Sequence, residues 1–153
     1  MPPKQRPILN LFALATLALP VHSALAQSDE PSATPSHCFE MQGSLLVRYN
    51  GNNPSCPKQV IIPSSVTAIG GFAFAENQLT QVAIPNSVTA IERYAFWANQ
   101  LREVTIPNSV TAIGASAFEH NQLTQVAIPN SVTVIGEGAF DSSVTITRGA
   151  SHP

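Results

Sequence analysis

The sequence returns on itself every 22 residues, and that period leaves few folds open to it. Ile62-Pro63-Ser64-Ser65-Val66-Thr67 comes back as Ile84-Pro85-Asn86-Ser87-Val88-Thr89, and Ile-Pro recurs at 106 and 128, each at a step of 22. Ala73-Phe74, Ala95-Phe96, Ala117-Phe118 and Ala139-Phe140 keep the same step, as do Asn77-Gln78-Leu79, Asn99-Gln100-Leu101 and Asn121-Gln122-Leu123. Units 62–83 and 106–127 agree at 17 of 22 positions. A unit this short cannot bury its apolar face alone. It must stack on copies of itself, so stability resides between coils and the ends need caps.

Each unit reads as a bent ribbon. In Leu79-x-x-Val82-x-Ile84, alternation with Gln81 and Ala83 predicts a strand with one side in and one out. Pro85 has no N–H to give a ladder and stops it. Asn86-Ser87 suits a turn. Val88-Thr89-Ala90-Ile91 is a second short extended run. An irregular or one-turn helical segment follows, with Ala95-Phe96 turned into the coil, and Asn99 closes it through its side-chain amide. The fold predicted is a β-rich solenoid of 22-residue coils, spanning 62–146 as three full coils and a shortened fourth.

The flanks read differently. Residues 1–26 have the order of a secretory signal: Lys4 and Arg6, an apolar run from Ile8 to Leu19, and Ala24-Leu25-Ala26 as a cleavage site. That run is 12 residues, against the roughly 20 a spanning helix needs. Its loss leaves five basic against nine acidic residues, a net charge of −4. So few cations cannot track phosphates, which excludes a nucleic-acid partner. Residues 27–37 are polar and Pro-rich and read as a flexible linker. Residues 38–61 read as an N-terminal cap, with Leu45–Tyr49 a strand, Asn50-Gly51 a turn and Gln59–Ile62 the first ladder strand. Cys38 and Cys56 are the only cysteines. In an exported chain they are expected to form a disulfide that staples this cap. Residues 143–146 read as a last strand and 147–153 as a disordered tail.

The pattern I-P-x-S-V-T-x-I-x-x-x-A-F-x-x-N-x-L-x-x-V resembles the BspA-type leucine-rich repeat family of bacterial and protist surface proteins. Leu46-Val47-Arg48-Tyr49-Asn50-Gly51, running to Val60-Ile61-Ile62-Pro63, is similar to that family's entry segment. The resemblance covers about 40–146. It implies a curved solenoid in a secreted, periplasmic or cell-surface setting that binds an extracellular protein or glycan, without chemistry of its own. Two other roles stay open: assembly by stacking through the solenoid ends, and a remnant of a larger repeat protein.

Comparison among the coils points to candidate sites. The coil 84–105 differs from 106–127 at eight positions, carrying Glu92, Arg93, Tyr94, Trp97, Ala98, Arg102, Glu103 and Thr105. Trp97 is the only Trp, and its counterparts Ala75, Glu119 and Asp141 place it outside the core. Arg93, Tyr94, Trp97, Arg102 and Glu103 are therefore the candidate partner site, since Trp, Tyr and Arg carry most interface energy. The strand face offers a second candidate in Gln59, Gln81, Thr105 and Gln125: a ladder of outward positions through Gln59, Gln81, Glu103 and Gln125, mostly amides, with Thr105 in the neighbouring outward row and no aromatic anchor. No catalytic residues, metal ligands or cofactor are expected. His120 is the only His inside a coil, and no nucleotide-binding, zinc-protease or nucleophile-elbow motif occurs.

Overall fold

The computed structural model describes residues 32–149. The signal peptide expected at 1–26, residues 27–31 of the segment expected as a linker at 27–37, and residues 150–153 lie outside them. Ten short strands follow one 3₁₀ turn at Ser36–Cys38: β1 (Phe39–Gln42), β2 (Leu45–Tyr49), β3 (Gln59–Ile61), β4 (Ala68–Ile69), β5 (Gln81–Ala83), β6 (Ala90–Ile91), β7 (Ala112–Ile113), β8 (Gln125–Ile128), β9 (Val134–Ile135) and β10 (Thr145–Arg148).

Each coil has three sides. On the first, β3 pairs with β5 and β8 with β10, in parallel. A turn then closes from the proline carbonyl to the N–H three residues on. Val66, Val88, Val110 and Val132 donate to Pro63, Pro85, Pro107 and Pro129 at 3.1–3.2 Å. The second side is one ladder in the order β1-β2-β4-β6-β7-β9. Only β1 and β2 are antiparallel; beyond them Leu46, Ile69, Ile91, Ile113 and Ile135 sit opposite one another in turn. The third side is a string of turns tied coil to coil by backbone bonds. Phe72, Phe74 and Glu76 donate to Arg93, Ala95 and Trp97, and Tyr94, Phe96 and Ala98 to Ala115, Ala117 and Glu119.

The main sheet is therefore the second extended run, not the Leu-x-x-Val-x-Ile run that the sequence suggests. The third side takes the irregular option and contains no helix. Its turns place one position of every coil in left-handed backbone: φ is 61° at Phe72, 58° at Tyr94, 54° at Ser116 and 65° at Gly138. Glu76, Ala98 and His120 repeat the feature four residues on, at 55–60°. A Cβ in this region costs roughly 1–2 kcal/mol. Ala98→Gly is expected to stabilise the chain by about 0.5–1 kcal/mol, part of the relief being lost to the freer unfolded chain. A urea midpoint that falls instead would contradict this.

The interior is a column of rings. Tyr49, Phe74, Phe96, Phe118 and Phe140 stack with centroids 4.9–5.2 Å apart. The spacing is that of neighbouring strands, about 4.8 Å, because the ladders set the distance between coils. Beside it runs a column of amides. Asn77 accepts from Gly51 N–H at 2.7 Å, Asn99 from Asn77 and Leu79 N–H, and Asn121 from Leu101 N–H. Gly51 cannot carry a side chain, since a Cβ there would collide with Asn77. The Tyr49 hydroxyl donates to Pro57 C=O at 2.6 Å, and burial pushes its pKa up to about 12.

At the N-terminal end β1 covers the open edge of β2, a hairpin partner the sequence reading missed. Thr34 is buried and its Oγ1 accepts from Ile61 N–H at 2.8 Å, so the chain packs from residue 34 rather than from 38. Cys38 and Cys56 are bonded as a disulfide. Closing a loop of this length contributes about 3 kcal/mol. Reduction is expected to lower the melting temperature; an unchanged curve, with reduction verified by thiol titration, would remove the staple from the account. The last strand also differs from expectation. Thr145 sits opposite Gln125 and Arg148 opposite Ile128, a step of 20, so β10 runs through Arg148 and includes two residues expected in the tail.

Candidate interaction site

Four aromatic rings gather on the third side of the coils. Phe72 stacks on Tyr94 with centroids 4.7 Å apart and planes 13° from parallel. Tyr94 meets the edge of Trp97 at 6.3 Å, and Trp97 meets the ring of His120 in the next coil at 5.7 Å. Tyr94 and Trp97 are half-buried, not fully exposed as expected for Trp97, because each ring lies on a ring of another coil. Phe72 is 51% exposed and Arg93 and Glu92 are exposed around it. Glu92 Oε2 accepts from Gly71 N–H at 2.9 Å, which holds the rim of the patch between two coils.

Folding alone does not demand these rings. Phe72 and Tyr94 occupy the left-handed position where the fourth coil places Gly138 and the third Ser116. The backbone would favour Gly at each. Two aromatic side chains sit there without entering the core.

Arg102 and Glu103 separate from Arg93, Tyr94 and Trp97. They join Gln59 and Gln81 in an open groove of about 520 Å³ on the first side, together with Thr80, Gln100 and Gln122. Arg102 Nε donates to Gln122 Oε1 across the coil boundary at 3.3 Å. Gln125 and Thr105 are exposed but do not line it. Thr105 is not on a strand. The ladder expected through Gln59, Gln81, Glu103 and Gln125 is broken at 103–105, between the β3–β5 pair and the β8–β10 pair. The coils still touch just before the break, through Gln100 N–H to Leu79 C=O and Gln122 N–H to Leu101 C=O, both 2.9 Å. The gap coincides with the coil in which Arg102-Glu103 stands where its neighbours have Thr-Gln.

Sequence comparison missed Phe72 and His120 in the patch, and Thr80, Gln100 and Gln122 in the groove. The signal for Phe72 was present, since it shares its repeat position with Tyr94. The small residues Ser116 and Gly138 at that position in the later coils mask it. Among the described residues His37, Cys38 and Cys56 bring metal-ligating atoms within 4.8 Å, but the two sulfurs are bonded to each other. No described helix is long and apolar enough to cross a membrane.

Residues 52–148 match the family model of the BspA type leucine-rich repeat region, in six copies. A leucine-rich repeat protein from Bacteroides ovatus is similar at 33% identity and a TM-score of 0.51, over 58% of this chain and 24% of its own. A leucine-rich repeat protein of T. pallidum shares the fold at a TM-score of 0.55 and 24% identity, over 71% of this chain and 66% of its own. The chain thus spans about a quarter of the first and just under two thirds of the second. No curated protein matches it.

Proposed function

The chain belongs to the BspA-type leucine-rich repeat family, and we propose that within it this chain is an exported, non-catalytic module that holds a protein or glycan ligand outside the cell. The family supplies a scaffold for protein interaction. The observation that carries the reading is the patch of Phe72, Tyr94, Trp97 and His120 with Arg93 at its rim. Its composition is that of residues that dominate interface energy, and its rings are preset by stacking, so little side-chain freedom is lost on binding. The disulfide favours an oxidising compartment, in line with export.

The test is an array of extracellular proteins and glycans probed with wild type, Trp97→Ala with Arg93→Ala, and Arg102→Ala with Glu103→Ala. The first pair is expected to lose about 2 kcal/mol of binding or more, roughly 30-fold in Kd. The groove pair is expected to change affinity less than threefold. Loss confined to the groove pair would move the site to the first side. Wild type without any ligand, or patch variants that bind as wild type does, would sink the reading.

A further inference from the structure

The two ends of the solenoid are built differently. At the N-terminal end β1 pairs with β2 and covers the edge of the long sheet. Thr34 caps Ile61 N–H there, and the disulfide ties the segment down. Among the described residues the last coil has no covering strand or disulfide; its one side-chain cap is at a corner, where Arg148 Nη1 donates to Val132 C=O at 3.0 Å. Of the three large apolar side chains exposed among those residues, two lie on it: Val134 at 58% and Ile146 at 45%. Val134 stands where the earlier coils have Ala68, Ala90 and Ala112, so apolar surface is larger at this end.

Its backbone groups are open in a definite pattern. On the second side, Thr111 C=O and Ile113 C=O accept from Thr133 and Gly136 N–H of the last coil. Their counterparts Thr133 C=O and Ile135 C=O accept from nothing among the described residues. On the third side the polarity is reversed: Ser116 and Phe118 N–H donate to Glu137 and Ala139 C=O. The counterparts Gly138 and Phe140 N–H have no acceptor there. The parallel pairing of Ile113 with Ile135 also uses Ile113 N–H, so its counterpart Ile135 N–H stands open between those two acceptors. The end face thus presents mainly acceptors along one side, donors along another, and the free edge of β10 along the remaining one.

A three-sided face of this kind is complementary to itself. A two-fold axis through the middle of the β10 side and the opposite corner lays β10 antiparallel on β10 of a second copy. The same rotation lays the acceptor side of each copy over the donor side of the other. We propose that the last coil is a homodimer interface of this form, with Ile146 beside the axis. It is isologous, so it closes at two copies. Head-to-tail stacking would lay the last coil on β1, which runs antiparallel to β2 and so cannot continue the parallel ladder of the coils. One coil's cross-section is small against the 1,200–2,000 Å² of a standard interface, so the pair is expected to exchange rather than to be permanent. This inference is independent of the aromatic patch, which lies along the coil sides.

Sedimentation of the chain as recovered from an exporting host, over a hundredfold range of concentration, should show a monomer–dimer equilibrium and nothing larger. Ile146→Lys and Val134→Lys should each be monomeric throughout, with an unaltered circular dichroism spectrum. Gln42→Lys on β1 should dimerise as wild type does. Under oxidation Ile146→Cys should form a covalent dimer and Gln42→Cys should not. Wild type that stays monomeric overturns the proposal, as do oligomers beyond two, a folded Ile146→Lys that still pairs, or cross-linking through Gln42→Cys.

Discussion

Asn99→Ala is expected to destabilise the chain by about 4–5 kcal/mol, lowering the melting temperature by about 15–25 °C. Asn99 is 6% exposed, and its amide joins two coils. Its Oδ1 accepts from Asn77 N–H at 3.1 Å and Leu79 N–H at 2.9 Å. Its Nδ2 donates to Phe74 C=O at 2.8 Å, Phe96 C=O at 3.0 Å and Trp97 C=O at 3.3 Å. Phe96 C=O keeps Asn121 as a donor and Trp97 C=O keeps Glu76 N–H. Asn77 N–H, Leu79 N–H and Phe74 C=O have no other partner among the described residues. Three buried backbone groups are thereby orphaned, each at a cost of about 1–3 kcal/mol. Asn121→Ala is expected to cost about half as much, because Asn121 is only half-buried and Phe96 C=O keeps Asn99. Equilibrium urea denaturation reads both. A loss below 1 kcal/mol for Asn99→Ala would mean that the coils re-pair without the amide.

Phe96→Ala is expected to cost about 3–5 kcal/mol, the range for removing a fully buried ring from a core that cannot collapse around the gap. Phe96 is fully buried, with Phe74 4.9 Å on one side and Phe118 5.0 Å on the other, both within 9° of parallel. The ladders hold those neighbours in place, so the cavity cannot be filled by sliding the rings together. Phe140→Ala should cost less, by about 1–2 kcal/mol, since Phe140 has one ring neighbour and is 7% exposed. Equal losses at the two positions would mean that burial within each coil, not contact between coils, supplies the stability. The comparison therefore tests whether stability resides between coils.

Much of the fold could be read from spacing. The column from Phe74 to Phe140, the turn after each proline and the closing Asn are all periodic, and a period of 22 admits only a stack. The Cys38–Cys56 pairing followed from there being two cysteines in a chain read as exported. What escaped was anything occurring once. The β1 hairpin, the burial of Thr34 and the β10 register have no second copy in the sequence to announce them. The last coil has lost two residues, so Thr145 rather than Thr147 stands opposite Gln125, and the strand begins two residues later than expected.

Within the candidate site the same division holds. The departures of Arg93, Tyr94, Trp97, Arg102 and Glu103 from the repeat were visible as letters, and they marked the divergent coil. Their division between two surfaces was not visible. Residues eight or nine positions apart on a 22-residue coil fall on different sides, and only the closed coil shows which. Repetition in sequence thus determined the architecture, because identical units satisfy one another's backbone and apolar faces in a single way. The tertiary structure alone decided how the exceptions combine, because ring contacts such as Phe72 on Tyr94 and Trp97 on His120 join residues one coil apart and depend on the turn each coil takes. It also decided which ladder continues and which breaks, since that is a matter of angstroms between coils that repeat identity does not encode.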